Sequence, residues 1–298
     1  MFRKKMKNLK YYFQKAQKEK WAIGQFNFSA YTQLKAIVEA GKNLKSPIIL
    51  GTSEGESKFF GLEEAVILRN LLRNRLRNPI FLNLDHGKSF DYLKQAIDAG
   101  YDMVHFDGSK LPLEENIKIS SEVVKYARWR GVLVEGELGI IGTDSSKVYS
   151  EKFEIKEENL TKSNEVKNYV EKTGVDLLAV SIGNFHGMES SGQEPRLRLD
   201  KLEEINETLR QSKTKNSFLV LHGGSGTNKE DVKKAIEIGI LKININTELR
   251  LAYTDALRKA LNDNIGEITP YKYLPEAKKS VQDIVESKIT LFSSQNRV

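Results

Sequence analysis

The chain has 298 residues, 39% of them apolar, no cysteine and a formal net charge of +7. That length suits two ordinary domains or one large barrel, and the lack of cysteine excludes disulfides, thiolate metal ligands and cysteine nucleophiles together. No run of about 18 apolar residues is present to span a bilayer, and the opening MFRKKMKNLKYYFQKAQKEK has no apolar stretch of secretory type, so a cytoplasmic protein without membrane contact is expected.

In chain order, Phe2–Lys20 reads as a basic amphipathic helix with Phe2, Met6, Leu9 and Phe13 near one face, expected to close the bottom of the fold. Eight short apolar runs follow, at Ala22–Phe28, Pro47–Ser53, Ile80–Asp85, Tyr101–Asp107, Val132–Leu138, Asp176–Gly183, Phe218–His222 and Leu241–Ile245. Helical patterns lie between them, at Tyr31–Asn43, Gly61–Asn74, Ser89–Gly100, Leu113–Gly131, Ser163–Gly174, Leu199–Ser212 and Asn228–Gly239. Most of these end in glycine, which takes the left-handed backbone of a helix stop without a Cβ clash. Strands alternating with helices give a parallel sheet, and eight strands close a barrel. A doubly wound open sheet is the rival, but the chemically distinctive residues sit at the ends of many strands and not along one crevice. One domain over residues 1–298 is expected, an α/β TIM (β/α)8 barrel with an extra N-terminal helix. Gly139–Asn159, long and polar after the fifth strand, is expected to be an active-site lid.

Chemistry in such a barrel gathers at the C-terminal ends of the strands. Asn27, Ser53, Asp85, His86, Asp107, Glu137, His186, His222, Asn244 and Asn246 fall there. The chain has four histidines, and three of them are in that set. Three imidazoles with an open position form a catalytic zinc site. The fourth, His105, lies inside the fourth strand and reads as structural. Asp85 is placed to move a proton beside a metal-bound substrate, or to orient an imidazole. Glu137 is open in the same way, as a ligand or as an acceptor behind one. His222-Gly-Gly-Ser-Gly226 and Asn244-Ile-Asn-Thr247 follow the seventh and eighth strands, where backbone N–H groups and the Ser225 hydroxyl can cradle a phosphate.

The segments Leu84-Asp-His-Gly87, Phe106-Asp-Gly-Ser109, Val134-Glu-Gly-Glu-Leu-Gly139, Ser181-Ile-Gly-Asn-Phe-His-Gly187, Leu221-His-Gly-Gly-Ser-Gly226 and Ile243-Asn-Ile-Asn-Thr247 resemble the class II fructose-bisphosphate and tagatose-bisphosphate aldolases. The resemblance runs in order from about Ala22 to the C-terminal Ile289-Thr-Leu-Phe-Ser. It implies a zinc-dependent lyase of glycolysis that splits a ketose 1,6-bisphosphate, most often fructose 1,6-bisphosphate, into dihydroxyacetone phosphate and glyceraldehyde 3-phosphate. By resemblance, Asp85 is the acid/base on the C4 hydroxyl and His86, His186 and His222 are the zinc ligands. Glu137 serves an alternative metal position, and Asp107 is a polar residue near the metal. Gly187, Gly223, Ser225, Asn244, Asn246 and Thr247 match the cradle for dihydroxyacetone phosphate, with Asn27 and Ser53 on the other side of the pocket. The family also often uses a monovalent cation and forms homodimers or homotetramers.

Three stretches depart from the family pattern. Ile140-Ile-Gly-Thr-Asp-Ser-Ser146 places Ser145 where a lid glutamate is usual, leaving Asp144, or else Glu151 or Glu154, as the proton shuttle. Met188–Pro195 replaces a usual Tyr-Lys, with Arg196 or Arg198 as substitutes, and Thr269-Pro-Tyr271 replaces a usual Asp-Pro-Arg, with Lys272 or Lys278 as substitutes. An impaired zinc- and phosphate-binding member and a tagatose-specific enzyme are therefore the alternatives. A class I aldolase is disfavoured because Lys242 begins the eighth strand, toward the bottom. RNA binding through Arg69–Arg77 and the basic N-terminal helix is disfavoured because a solvated helix face explains both.

Overall fold

A computed structural model describes residues 6–142, 147–149, 155–189, 196–213 and 217–298; Phe2, Asp144, Ser145, Glu151 and Glu154 lie outside them, and the N-terminal helix starts at Leu9, with Met6 before it. Helix α1 (Leu9–Glu19) leads into β1 (Ile23–Asn27), α2 (Tyr31–Asn43), β2 (Ile48–Ser53), α3 (Glu54–Phe60), α4 (Leu62–Leu76) and β3 (Ile80–Gly87). There follow α5 (Phe90–Ala99), β4 (Met103–Phe106), α6 (Leu113–Arg128), β5 (Leu133–Leu138), β6 (Val148–Tyr149), α7 (Ser163–Thr173), β7 (Leu177–Val180) and β8 (Met188–Glu189). The chain ends through α8 (Leu199–Arg210), β9 (Phe218–Leu221), α9 (Lys229–Ile238), β10 (Ile240–Ile245), α10 (Thr247–Asp263) and α11 (Pro270–Leu291).

Each of the eight apolar runs holds one strand of a closed parallel barrel, ordered β1-β10-β9-β7-β5-β4-β3-β2. Closure rules out the open sheet. Glycine stops are visible where helices end: Gly100 and Gly174 take left-handed backbone, and their N–H groups bond back to Ala96 and Val170. The helix expected at Gly61–Asn74 is α4, and an additional short helix, α3, precedes it; Gly61, at φ 95°, ends α3 and starts α4. The sequence carried a signal for α3: Ser53 and Glu56 form a capping box, each side chain bonded to the other's backbone N–H. Helix α11 and the short parallel pair β6–β8 were also not anticipated.

Side chains alternate inward and outward along a strand, and here the inward sets form storeys. At the floor Ile23, Ile49, Phe81, Met103, Leu177, Phe218 and Leu241 pack with Leu9, Phe13 and Ala16 of α1, and Phe13 stacks on Phe218 with ring centroids 5.3 Å apart. So α1 does close the bottom. Two residues further along the strands stand Gln25, Asn83, His105 and Glu135, all fully buried, and two beyond these Asn27, Asp85, Asp107 and Glu137. The outward faces of the strands pack against the helices in the main core.

Arg69 and Arg73 do not form a solvated face. Both turn inward onto Asp102, and Arg69 also donates to the Gly100 carbonyl. These two arginines serve packing between α4 and the barrel. Among the described residues, no helix is long and apolar enough to cross a membrane.

Candidate active site

His86 ends the regular alternation of β3. Its φ of 52° is left-handed, uncommon for a non-glycine residue, and it lets the neighbouring Asp85 and His86 side chains both reach the barrel mouth. The His86 N–H donates to His105 Nδ1 at 3.1 Å, which anchors the strained residue. His105 was expected to be only structural; the structure sets it among the reactive groups. Asp85, His86, His105 and His222 offer ligand atoms all within 4.8 Å of one another, and His86, Asp107 and Glu137 form a second such group. His186 stands beside them on the loop after β7, its ring centroid 4.7 Å from that of His86 and 5.8 Å from that of His222.

Hydrogen bonds assign the ring protons. His86 Nδ1 lies 3.1 Å from Asp107 Oδ2, and His222 Nε2 lies 2.6 Å from Glu135 Oε1. An ionised carboxylate only accepts, so each of those nitrogens carries the proton. In the neutral rings the remaining nitrogens, His86 Nε2 and His222 Nδ1, are then lone pairs, and they face each other at 3.0 Å. Two facing lone pairs repel unless a cation lies against both. Nearby, His105 Nε2 and Glu137 Oε2 are buried 3.4 Å from each other, and neither makes a hydrogen bond among the described residues. This donor set fits a metal ion: neutral imidazoles oriented by carboxylates, with unsatisfied atoms beside them.

The charges agree. Burial, with His86 and His222 close by, holds His186 well below the usual imidazole range. Burial also lowers His222, against the raising hydrogen bond to Glu135. For His86 burial is outweighed by Asp85 and the Asp107 bond, and the ring is raised. Burial would raise Asp85, but His86, His105, His222 and Lys242 hold it well below the carboxylate range. Glu135 is likewise lowered, mainly by Lys242 and His105.

Lys242 was placed toward the bottom by its position in the strand. Its side chain in fact climbs the interior, and Nζ donates to Glu135 Oε2 and Asn244 Oδ1 at 2.8 Å each. An ammonium held in that way is no free nucleophile.

Asp85, His86, His186, Gly187, Gly223, Ser225, Asn244, Asn246 and Thr247 line a single narrow cleft at the mouth. At Gly223, φ is 62° and a Cβ would come within 2.0 Å of the Phe185 carbonyl oxygen, so only glycine fits. Ser225 Oγ accepts from the Glu248 N–H, while Glu248 accepts from Gly226 N and from Lys288, which ties the loop to α11. Asn27, at the end of β1, does not line this cleft; it donates to Asp85 and Glu56. Ser53 is engaged in capping α3.

The four basic substitutes named from the sequence all have acidic partners. Arg196 pairs with Asp231, Arg198 with Asp200 and Glu157, Lys272 with Glu267 and Lys278 with Glu39. A larger cavity of about 890 Å³ opens at the other end of the barrel, beside Lys10, Arg73 and Arg130. Those cations are paired with Asp176, Asp102 and Asp98, and no histidine lines it. The chemistry is at the mouth.

Residues that the strand-end reading missed are Glu56, Glu135, Lys242, Glu248 and His105. Counting back by two from Glu137 and Asp107 reaches Glu135 and His105, so strand period alone could have found those two.

Residues 7–297 match the family described as Fructose-bisphosphate aldolase class-II. The chain is 37% identical over 285 residues to a fructose-bisphosphate aldolase of Staphylococcus epidermidis, covering 95% of each chain. It is 35% identical to that of Geobacillus stearothermophilus, covering 97% of this chain and 98% of the relative. Among solved structures, the YdjI aldolase from Escherichia coli K12 superposes with a TM-score of 0.80 at 27% identity, covering 98% and 99% of the two chains. The protein therefore belongs to the class-II fructose-bisphosphate aldolases, a family of metal-dependent carbon–carbon lyases acting on phosphorylated sugars.

Proposed function

We propose that the chain reversibly cleaves fructose 1,6-bisphosphate to dihydroxyacetone phosphate and glyceraldehyde 3-phosphate, with zinc held by His86, His186 and His222. The facing lone pairs of His86 and His222, 3.0 Å apart beside Asp85, carry this reading. A set of neutral imidazoles suits zinc better than magnesium or calcium, which prefer oxygen. When bound, the ion supplies a Lewis acid at the substrate carbonyl.

The protein's residues do the rest. Gly223 and Ser225, with Gly187, Asn246 and Thr247, hold the first phosphate and fix the sugar's direction in the cleft. Asn244 and Asn27 each donate to one oxygen of Asp85, at 3.0 Å, leaving its ionised carboxylate aimed at the C4 hydroxyl. Asp85 takes that proton as the C3–C4 bond breaks. Asp107 orients His86, and Glu137 with Asp107 and His86 forms the alternative metal position. Asp144 of the lid returns a proton to C3. Incubation with a chelator is expected to abolish cleavage, and added zinc to restore it. Cleavage that survives complete metal removal sinks the reading, and zinc binding with no cleavage of fructose or tagatose 1,6-bisphosphate favours an impaired member.

Assembly as a homodimer or homotetramer belongs to the same reading. The hairpin of α10 and α11 leaves Leu261, Ile265, Ile268 and Tyr271 exposed, with Ile265 at 90% and Ile268 at 87%. Isolated apolar residues are ordinary at a surface, but a group on one arm marks a contact. Sedimentation is expected to give a multiple of 33.9 kDa, falling to 33.9 kDa for Ile265→Asp with Ile268→Asp. A monomeric unsubstituted chain contradicts this assembly.

A further inference from the structure

We infer that Glu56 is a positioning residue for Asp85, acting through the side-chain amide of Asn27. This rests on the assignment of Asp85 as the proton acceptor proposed above. Asn27 Nδ2 has two hydrogens and two carboxylate neighbours, Asp85 Oδ2 and Glu56 Oε2, each at 3.0 Å. Its Oδ1 accepts from Gln25 Nε2 at 3.0 Å, and Gln25 Oε1 accepts from Asn83 Nδ2 at 2.8 Å. Every amide in this buried series therefore points one way. A flipped Asn27 would set its oxygen against two carboxylates, so Glu56 helps to lock the orientation in which Asn27 donates to Asp85.

Glu56 is itself held by its capping box and by α10: the Ser53 N–H donates to Oε2 at 2.8 Å, the Glu56 N–H donates to Ser53 Oγ at 3.3 Å, and Arg250 donates to Oε1. The Asn27 amide thus stands between the acid/base carboxylate and a tethered carboxylate that, among the described residues, bonds to neither the imidazoles nor the glycine loop. Removing Glu56 frees one Asn27 hydrogen and the rotation of that amide, and with it one of the two bonds that aim Asp85. A capping role alone would alter the start of α3 and nothing specific to the C4 hydroxyl.

The test uses the zinc-loaded enzyme. Glu56→Ala is expected to lower kcat for fructose 1,6-bisphosphate cleavage by about ten- to a hundredfold, the scale of a small misplacement of a catalytic group. KM is expected to stay within about threefold. Proton exchange on dihydroxyacetone phosphate does not use the C4 hydroxyl, and stays at the unsubstituted rate. Glu56→Gln, with its amide oxygen toward Asn27 and the Ser53 N–H and its N–H₂ toward the partly exposed Arg250, which can turn to solvent, keeps the acceptor for Asn27 and restores cleavage to within about threefold. Glu56→Met keeps the side-chain bulk, should truncation unsettle α3, and shows the same pattern as Glu56→Ala. In an Asn27→Ala background the Glu56→Ala cost disappears, because the two act as one unit. Undiminished cleavage by both Glu56→Ala and Glu56→Met, a parallel fall in proton exchange, or a full cost persisting without Asn27 overturns the inference. Absence of cleavage by the unsubstituted enzyme is seen in that control alone, and removes the proposed function together with this inference.

Discussion

Asp85→Ala is expected to lower kcat for cleavage by about 10²- to 10⁴-fold, the span of positioned acid–base catalysis. The zinc content should remain that of the unsubstituted enzyme, because Asp107 and Glu135 still orient His86 and His222. Asp85→Asn should be no gentler. Asn27 and Asn244 both donate to the carboxylate, so an amide there must turn its own N–H₂ toward one of those donors. Steady-state kinetics with metal analysis decide the matter: a metal-loaded Asp85→Ala enzyme retaining more than about a tenth of kcat removes Asp85 from the proton step.

Lys242→Met acts on stability. Lys242 and Glu135 form an ion pair inside the barrel, both fully buried, with Nζ 2.8 Å from Oε2. Removing one partner of such a pair costs about 3–5 kcal/mol, because the other charge is left in a low-dielectric interior. In a chain of this size that corresponds to a fall in melting temperature of roughly 10 °C. Adding Glu135→Leu should recover much of the stability, since a buried pair can often be replaced by apolar residues. Activity should not recover, because His222 then loses the acceptor for its Nε2–H. A Lys242→Met melting curve that overlays the unsubstituted one refutes the stability assignment.

The fold was largely legible because its signals are local. Helix α2 begins and ends at Tyr31 and Asn43 as expected, and each apolar run marks a strand to within a few residues. The residues that line the mouth cleft are legible for a related reason: each sits at the end of a strand or on the loop that follows one, where fold geometry alone brings them together. What escaped depends on contacts across the barrel. Glu135 and Lys242 are 107 positions apart, and nothing local links them. Lys242 was misplaced because position along a strand locates its Cα, while a four-carbon stem carries the charge toward the next storey. His105 was discounted because a histidine inside a strand is usually a structural one; its partners, Glu137 and Asp85, come from neighbouring strands. Helix α3 has a local signal in its capping box, but Ser53 also stands at a strand end, where a hydroxyl suits substrate binding equally well.

The storeys within the barrel give one molecule two tolerances to change. The floor of Ile23, Ile49, Phe81, Met103 and Leu177, plugged by Phe13, is held by shape and volume, and volume-conserving exchanges there need only refill the space. One storey higher, each amide, imidazole and carboxylate is defined by which neighbour gives and which receives a hydrogen, so an exchange of equal size can still reverse a donor. A library of volume-conserving exchanges in the floor should therefore give many folded proteins, while the layer above behaves as one sentence in which no word can be turned around alone.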